Sequence, residues 1–278
     1  MTGAVRHSWF PASSCDSSCL ADEAAAGRFR RWSRVAALVV TLSVVLTLGM
    51  IVGVLPRGAR ARYVRVSARL LITSLGIRIE AHGDRTGQGL IVSNHISFLD
   101  VLAIASVSPA RFVAKAELSS WPVIGPVTRR LGVIPIRRES LRELPGVVAT
   151  ARGGLLAGDS VGVFPEGTTR CGRGGGRFRP ALFQAAVDSG VPVRPVVVSF
   201  HTSEGAISTA AGFIGADDIG DTLRRVLHAK GLTVRVRMCQ LQVPGDDRRE
   251  LARRCERLVF GDVPAISLSG AATVALAG

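Results

Sequence analysis

Short apolar segments alternate with helical segments through most of this 278-residue chain, and no other feature constrains its fold as strongly. Each apolar segment has the length of a buried strand, and several are rich in valine and isoleucine. Strands that alternate with helices are typical of α/β folds, in which helices cover the faces of a sheet. We therefore predict an α/β domain over residues 77–262, built on a mixed sheet flanked by helices.

The predicted strands share a run of apolar residues bounded by turn or loop residues. They are Ile77–Ala81, Leu90–Ser93, Arg111–Lys115, Val133–Pro135, Ser160–Phe164, Val193–Phe200 and Thr233–Val243. The predicted helices are Phe98–Ser106, Leu144–Leu156, Ala181–Ser189 and Asp246–Phe260. In Thr233–Val243 apolar residues alternate with arginines at first, which predicts a half-exposed strand at the outside of the sheet.

Before this domain lies an uncharged run of 21 residues, Val35–Leu55. As a helix it would be about 31 Å long, enough to cross the hydrocarbon core of a bilayer. Arginines flank the run on both sides, so the charge rule for membrane orientation gives no direction. They are Arg28, Arg30, Arg31 and Arg34 before the run, and Arg57, Arg60, Arg62 and Arg65 after it.

The segment after Pro56 predicts an amphipathic helix at the membrane interface. Arg62, Arg65 and Arg69 fall on one stripe of that helix, and apolar residues cover much of the rest. A turn at Pro56 to Gly58 would let the two helices form a hairpin that enters one leaflet. The alternative is a single spanning anchor followed by a basic linker. In both interpretations residues 28–76 anchor the chain to a membrane.

Composition indicates the character of the two terminal segments and limits the classes of partner. Residues 1–27 are rich in Ser, Ala and Gly and are expected to be a disordered tail, and residues 263–278 form a C-terminal tail too short to span a membrane. The net charge of +14, almost all arginine, suits anionic partners such as phosphate esters and anionic membrane lipids. A single tyrosine and few other aromatic residues argue against a nucleic-acid partner.

Five cysteines are scattered along the chain, and their spacing bears on metal binding and redox environment. Cys15 and Cys19 have no second Cys or His pair at zinc spacing, and the odd total argues against a disulfide framework. We therefore expect reduced thiols and a main domain in the cytoplasm.

The most informative stretch for chemistry runs from Gly89 to Asp100, where a predicted strand meets a predicted helix. His95 falls at this corner, so its side chain can face a cleft. With His95 on the turn before the helix, the carboxylate of Asp100 can reach back to one imidazole nitrogen. That contact would fix the tautomer and leave the other nitrogen free as a base.

Two further motifs follow predicted strands. Phe164-Pro165-Glu166-Gly167-Thr168-Thr169-Arg170 stands where a strand ends, a usual place for an α/β active site. Its carboxylate and guanidinium can hold a polar substrate head, and Gly167 allows close approach of the backbone. The run from Gly132 to Arg138 delivers Arg137 and Arg138 at another strand end, and arginine matches phosphate oxygens in bidentate fashion.

Together and in this order, the motifs resemble those of the glycerolipid acyltransferase family, which includes the 1-acylglycerol-3-phosphate acyltransferases. The four matching blocks are Asn94-His95-x4-Asp100, Gly132 to Arg138, Phe164 to Thr168, and Val191-Pro192-Val193-Arg194-Pro195. The resemblance covers about residues 70 to 210 and the membrane helices in front. The chain departs from the family at Thr169, where members often carry the arginine that stands here at position 170.

The resemblance implies a membrane-bound enzyme that moves a fatty acyl group from an acyl thioester to the free hydroxyl of a lysophospholipid. His95, held by Asp100, would remove the proton from that hydroxyl. Two arginines of the second block would hold the acceptor's phosphate, and residues in and just after the third block would complete the acceptor site. The site would comprise Arg137, Arg138, Glu166, Gly167, Thr168 and Arg170.

The same resemblance implies the co-substrates and the cellular location. Acyl-CoA or acyl carrier protein would supply the thioester, with no cofactor and no metal. The expected acceptor is 1-acylglycerol-3-phosphate, giving phosphatidate in phospholipid biosynthesis, with a lyso-ornithine lipid or another lysolipid as the alternative. The catalytic domain would face the cytoplasm at the cell membrane.

Two other classes of function compete with acyl transfer. Gly158-Asp159-Ser160-Val161-Gly162 matches the G-x-S-x-G pattern of serine esterases and thioesterases, but that motif requires its serine after a strand, and Ser160 precedes one. A non-enzymatic basic membrane adaptor would explain the charge and the anchor. It would leave His95-x4-Asp100 and Glu166-Gly167-Thr168 without a role.

Overall fold

Seven strands form a single mixed sheet in the computed structural model, which describes residues 13, 15–21, 23–84, 87–122, 124–137 and 140–261. The strand order is β1-β7-β6-β2-β5-β3-β4, and every neighbouring pair is parallel except β6 with β7. The strands are β1 (Arg78–His82), β2 (Leu90–Ser93), β3 (Arg111–Lys115), β4 (Ile134–Ile136), β5 (Val161–Val163), β6 (Val193–His201) and β7 (Thr233–Met238). This architecture confirms the predicted fold class.

Helices cover both faces of the sheet. The α-helices are α1 (Arg28–Gly49), α2 (Arg57–Ser74), α3 (Leu99–Val107), α4 (Ile124–Arg130), α5 (Leu144–Leu156), α6 (Gln184–Ser189), α7 (Ile219–His228) and α8 (Arg248–Phe260). One apolar core joins α2, α3 and α7 to the sheet, and a second joins α5, α6 and α8 to its other face. In β2, Ile91 packs into the first core while Leu90 and Val92 pack into the second, so the whole strand is buried.

The structure corrects the predicted position of the strand that begins at Thr233. This strand, β7, lies between β1 and β6 rather than at the outside of the sheet. Its alternation arises because Arg235 and Arg237 lie on a less buried face, where the guanidinium of Arg235 pairs with Glu80 on β1 at 2.8 Å. A half-exposed face therefore does not require an edge strand.

Two helices lie where the sequence predicted none. Helix α4 begins at Ile124, between the predicted strands Arg111–Lys115 and Val133–Pro135. Helix α7 begins after Asp218, whose carboxylate accepts a hydrogen bond from the N–H of Asp221, while the side chain of Asp221 accepts one from the N–H of Asp218. That reciprocal capping pattern is a start signal that the sequence contained.

The apolar run Val35–Leu55 is not one continuous helix. Helix α1 ends at Gly49, so its uncharged helical part, residues 35–49, is about 22 Å long. The rest of the run forms a turn that leads into α2, and the hydroxyl of Tyr63 on α2 donates to the carbonyl of Val45 on α1 at 2.6 Å. Gly49 permits this approach, because a Cβ there would lie 2.9 Å from the Tyr63 hydroxyl oxygen and 3.0 Å from Val127 Cγ1. The two helices form a hairpin.

By length and composition alone, α1 is the one helix of the described chain that could cross a membrane, and 17% of its most apolar 18-residue window is buried. Core helices and signal sequences can pass the same test. On α2, Arg62, Arg65 and Arg69 are exposed, as are the neighbouring apolar side chains of Val66 and Leu70. An amphipathic outer face is therefore present on α2, and its membrane role stays a prediction.

Part of the segment predicted as a tail, residues 1–27, contacts the main domain. The carboxylate of Glu23 accepts hydrogen bonds from the Ser208 hydroxyl and from the backbone N–H of Thr209. The N–H of Ala26 donates to the carbonyl of His228 at 2.7 Å. One acidic side chain thus satisfies several donors of the domain, a long-range pairing that composition does not reveal. The predicted tail 263–278 lies outside the described residues.

Candidate active site

The active-site corner forms where β2 ends and the backbone turns toward α3. Directly after β2, the side-chain amide of Asn94 donates to the carbonyl of Val198 at 2.9 Å, and its oxygen accepts from the N–H of Val198 at 2.8 Å. The amide therefore continues the pairing with β6 by one more step, as a backbone residue would. Asn94 holds the corner in place, and the next residue, His95, projects from it.

His95 and Asp100 are in direct contact, as their spacing predicted. His95 Nδ1 lies 2.9 Å from Asp100 Oδ2, and the same oxygen accepts from the backbone N–H groups of Ile96 at 2.5 Å and Ser97 at 2.9 Å. Asp100 lies in the first turn of α3 and is 0% exposed. Because a carboxylate only accepts, Nδ1 carries the proton and Nε2 holds the free lone pair. This is the tautomer that a general base requires.

The imidazole of His95 is further oriented by an aromatic neighbour. Its ring stacks on Phe164, with centroids 4.0 Å apart and planes inclined by 16°. The described residues provide no hydrogen bond to Nε2, and the side chain of His95 keeps 10% of its surface exposed. Stacking on one side and the Asp100 contact on the other leave Nε2 as the atom that a substrate can reach. The sequence placed Phe164 in a motif without indicating this role.

Glu166 binds the backbone of His95 from the opposite motif. Its Oε1 accepts from the N–H of His95 at 2.9 Å, and its Oε2 accepts from the N–H of Gly176 at 2.9 Å and pairs with Arg170 Nε at 2.8 Å. Arg170 in turn donates its backbone N–H to the carbonyl of His95 at 2.8 Å. Burial raises the pKa of Glu166 to about 7, although the His95 N–H, the Arg170 guanidinium and the Gly176 N–H all favour the ionised form.

The geometry of Glu166 differs from the predicted contact with an acceptor's glycerol group. Both carboxylate oxygens are engaged by protein donors, and the residue is 5% exposed. The carboxylate and Arg170 therefore connect the two motifs through the backbone of His95. Sequence spacing could not reveal this connection, since it depends on the loop from Thr168 to Gly176 folding back.

The turn after Glu166 explains the extra threonine. Gly167 has a φ of +72°, a left-handed conformation that favours glycine. Thr168 is half-buried beside it, and the hydroxyl of Thr169 donates to the carbonyl of Phe213 at 2.7 Å. With Thr169 held there, Arg170 stands four residues after Glu166 and pairs with it. Its Nε faces a carboxylate of the protein itself.

The arginines predicted to hold phosphate have different surroundings. Arg137 follows β4 and pairs with Glu143 on the surface at 2.8 Å, with 66% of its side chain exposed. Arg138 lies outside the described residues. Arg194, in the fourth block, is buried on β6 and donates to the carbonyl of Asp84 at 3.0 Å. Its hydrogen bond supports the domain's structure.

Ser160 lies at the wrong end of the sheet for chemistry with His95. Strands β2 and β5 are parallel with Leu90 beside Val161, so Ser160 stands next to Gly89, before the strands begin. His95 lies beyond their other end. The length of β2, four residues or roughly 13 Å, separates the two levels. The G-x-S-x-G pattern is therefore not a nucleophile turn in this fold.

Comparisons with known proteins identify the family to which the chain belongs. A family model described as Acyltransferase matches residues 77–199, a range that contains His95, Asp100 and Glu166. A protein named lyso-ornithine lipid O-acyltransferase from Pseudomonas aeruginosa is 31% identical over 204 residues, which cover 72% of this chain and 78% of that protein. The chain belongs to the acyltransferase family.

A second relative and a solved structure also resemble the chain. A 1-acyl-sn-glycerol-3-phosphate acyltransferase from Neisseria meningitidis is 35% identical over 149 residues, 53% of this chain and 57% of that protein. The chain thus spans little more than half the length of that relative. The crystal structure of a 1-acyl-sn-glycerophosphate acyltransferase from Thermotoga maritima superimposes with a TM-score of 0.61 at 21% identity, covering 83% of this chain and 92% of that one. That likeness shows the shared fold.

Proposed function

We propose that the chain transfers a fatty acyl group from an acyl thioester to the free hydroxyl of a lysolipid. The observation that carries this proposal is the His95–Asp100 pair, with Nδ1 on the carboxylate and Nε2 free of protein partners among the described residues. A neutral imidazole in that state can accept a proton from a hydroxyl. Family membership favours acyl transfer as the use of that base.

The proposed reaction assigns one proton cycle to His95. Nε2 removes the proton of the acceptor hydroxyl as its oxygen attacks the thioester carbonyl carbon. The tetrahedral intermediate then collapses, the carbon–sulfur bond breaks, and the imidazolium returns the proton to the departing thiolate. Asp100 stabilises the imidazolium in between, and base catalysis of this kind typically contributes about 10²–10⁴-fold. Acyl-CoA or acyl carrier protein would supply the thioester, and no step requires a cofactor.

The proposed acceptor is 1-acylglycerol-3-phosphate, and the product is phosphatidate. Arg138 would hold the phosphate, with Arg137 beside it, since a guanidinium matches phosphate oxygens in bidentate fashion. Arg170 is a weaker candidate for that contact because its Nε pairs with Glu166. Gly167 and Thr168 would border the acceptor's glycerol portion. The relatives from Neisseria meningitidis and Neisseria gonorrhoeae are named for this acceptor.

A lyso-ornithine lipid is the second candidate acceptor. The Pseudomonas aeruginosa protein that aligns over 78% of its length is named for it, whereas the Neisseria meningitidis relative aligns over 57% of its length. Ornithine carries no phosphate, so an enzyme for this acceptor would need no phosphate-binding arginine. The engagement of Arg170 with Glu166 is compatible with that acceptor.

We also propose that α1 and α2 enter one leaflet of the cell membrane as a hairpin, with the catalytic domain in the cytoplasm. Residues on both sides of α1 contact the same domain: Glu23 bonds Ser208 before the helix, and α2 packs against α3 after it. The buried guanidinium of Arg34 also donates to the carbonyl of Ala229 at 2.8 Å. A helix whose two flanks bind one domain is poorly placed to cross a bilayer. In addition, the uncharged part of α1, residues 35–49, is about 22 Å long, which is shorter than the hydrocarbon core of about 30 Å.

A single assay separates the candidate functions. Purified full-length protein is given an acyl-CoA or an acyl carrier protein thioester and a panel of lysolipids that includes 1-acylglycerol-3-phosphate and lyso-ornithine lipid. We expect thiol release only when a suitable acceptor is present. Release without an acceptor would indicate a hydrolase, and no release with any pair would support the adaptor. The acceptor with the highest kcat/KM decides between the two lipids.

A further inference from the structure

Three cysteine side chains meet at the start of the loop that follows Arg170. The proposed reaction does not use them. The sulfur atoms of Cys15, Cys19 and Cys171 all lie within 4.8 Å of one another. A short 3₁₀-helix, Ser17–Cys19, brings Cys19 back toward Cys15. Cys171 comes from the loop directly after Arg170, 156 residues away from Cys15. The spacing of Cys15 and Cys19 gave no zinc signal because the third sulfur is so distant in sequence.

We propose that Cys15, Cys19 and Cys171 bind a Zn²⁺ ion through their three thiolates. Thiolate sulfur is a preferred ligand of zinc, with Zn–S bonds of about 2.3 Å, which place sulfurs of a tetrahedral site about 3.8 Å apart. The three sulfurs therefore need to move by no more than about 1 Å toward one another. Cys171 is buried and the other two cysteines are half-buried, so an ion and a water molecule as fourth ligand can enter from the side of Cys15 and Cys19.

Backbone donors around the sulfurs fit a site that carries negative charge. The N–H of Cys171 donates to Cys15 Sγ at 3.4 Å, and the N–H of Arg173 donates to the sulfur of Cys171. Hydrogen bonds of this kind orient metal ligands and disperse the charge of thiolates. Zinc binding would displace the thiol protons and leave three thiolates and one Zn²⁺ with a net charge of −1. Two arginines stand close to Cys171 in the sequence: Arg170 directly before it and Arg173 two residues after it.

The proposed ion would have a structural role. It would tie residues 15–19 to the loop that follows Arg170. Arg170 itself donates its backbone N–H to the carbonyl of His95, and its guanidinium pairs with Glu166. Zinc bound there would restrict the position of that loop without touching either substrate. The acyl-transfer step itself does not involve the ion.

Metal content and spectroscopy test the proposal independently of activity. The full-length chain is purified with reductant, its affinity tag is removed, and zinc is measured by mass spectrometry. We expect one zinc ion per chain in the wild type and its loss in Cys15→Ser and Cys19→Ser. Replacing zinc with Co²⁺ should give sulfur-to-cobalt charge-transfer absorption that is weaker in Cys19→Ser. We expect zinc affinity to fall more than about 100-fold in that variant, beyond the loss typical of an outer-shell partner.

A matched control and a second readout keep the test decisive. Cys239→Ser removes a thiol elsewhere in the domain and should retain full zinc content, because Cys239 bonds the carbonyl of Leu258 and lies outside the cluster. In the wild type, chelation should speed amide hydrogen exchange in residues 15–24 and 170–176. If metal-free wild type gives no charge-transfer band after Co²⁺ is added, the proposal is overturned. A disulfide among the three cysteines in protein alkylated at cell lysis would also overturn it.

Discussion

The carboxylate of Glu166 accepts a hydrogen bond from the backbone N–H of His95 at 2.9 Å. This bond joins two motifs that lie far apart in the sequence and meet at the ends of neighbouring parallel strands, β2 and β5. The catalytic histidine that we propose is thus held at three points: its Nδ1 by Asp100, its ring face by Phe164 and its backbone by Glu166. Glu166 therefore acts on the proposed base, His95, through the main chain.

Glu166→Gln should lower kcat by roughly 10–100-fold, the size of a lost hydrogen bond to a charged group. The side-chain amide nitrogen of glutamine is a donor and cannot accept a hydrogen bond. It must therefore face either the N–H of His95 or the donors of Arg170 and Gly176, and one of these contacts is lost. KM for the acceptor should change little if the carboxylate acts through His95, whereas a direct contact with the acceptor would raise KM. Glu250→Gln is the control, because Glu250 pairs with Arg254 on the surface of α8.

The stability of the protein should also reflect the raised pKa of Glu166. Its ordinary pKa is 4.5 and its pKa in the folded chain is about 7. Between these values the folded chain holds a proton that the unfolded chain has lost, so the free energy of unfolding falls as the pH rises from 4.5 to 7. Denaturant unfolding of wild type and Glu166→Gln across this range measures the difference. A wild-type advantage that grows with pH would contradict the assignment.

His95→Ala should reduce kcat by about 10²–10⁴-fold while the fold is retained, because general-base catalysis is lost. Asp100→Asn should also lower kcat strongly, since the amide nitrogen would donate to Nδ1 and force the proton onto Nε2. His82→Ala, at the exposed end of β1, is the matched control and should keep wild-type activity. A His95→Ala protein with near wild-type kcat would refute the proposed base.

Much of the sheet could be predicted because local signals and tertiary packing agree there. The bounds of β2, β3 and α5 match the sequence predictions, since each is a well-delimited apolar segment. The order of the strands depends on which faces meet, and the sequence did not predict that Arg235 of β7 pairs with Glu80 of β1 inside the sheet. The end of α1 at Gly49 depends on a close contact with Tyr63, which no local pattern in the uncharged run encodes.

In the candidate active site, too, contacts within one local segment could be predicted and contacts between distant segments could not. The contact between His95 and Asp100 could be predicted because it depends on one strand-to-helix corner. The bonds that connect Glu166 and Arg170 to the backbone of His95 depend on the long loop after β5, and the meeting of Cys15 with Cys171 depends on where the N-terminal segment packs. Such contacts arise from chain topology, so residue types and spacing alone do not reveal them.

Arg138→Ala should raise KM for 1-acylglycerol-3-phosphate at least tenfold, because a charged bidentate contact in the ground state is lost. KM for the thioester should stay within about twofold of the wild type. Arg254→Ala is the control, since Arg254 pairs with Glu250 on α8, outside the proposed acceptor site. If Arg138→Ala changes only the KM of the thioester, the arginine serves the donor. If lyso-ornithine lipid is the better acceptor, Arg138→Ala should leave its KM unchanged.

Exposed apolar side chains on α1 should hold the protein in the membrane. Val40 and Val44 are 63% and 49% exposed and lie one turn apart on the same face. Replacing both with aspartate should release the protein from membranes, because an acidic side chain in the hydrocarbon core costs up to about 3 kcal/mol on an insertion scale. Wild-type protein should resist high salt and require detergent, since salt does not weaken hydrophobic transfer.

The control and the topology readout use the same membranes. Val243→Asp changes an exposed apolar residue beside α8, which packs on the sheet face opposite α2, and should leave membrane binding intact. In the hairpin arrangement, tags at the two ends of the chain are cleaved by protease from the same side of sealed vesicles. A spanning α1 would protect the N-terminal tag while the C-terminal tag is cut, and wild-type protein that washes off in high salt would refute the anchor itself.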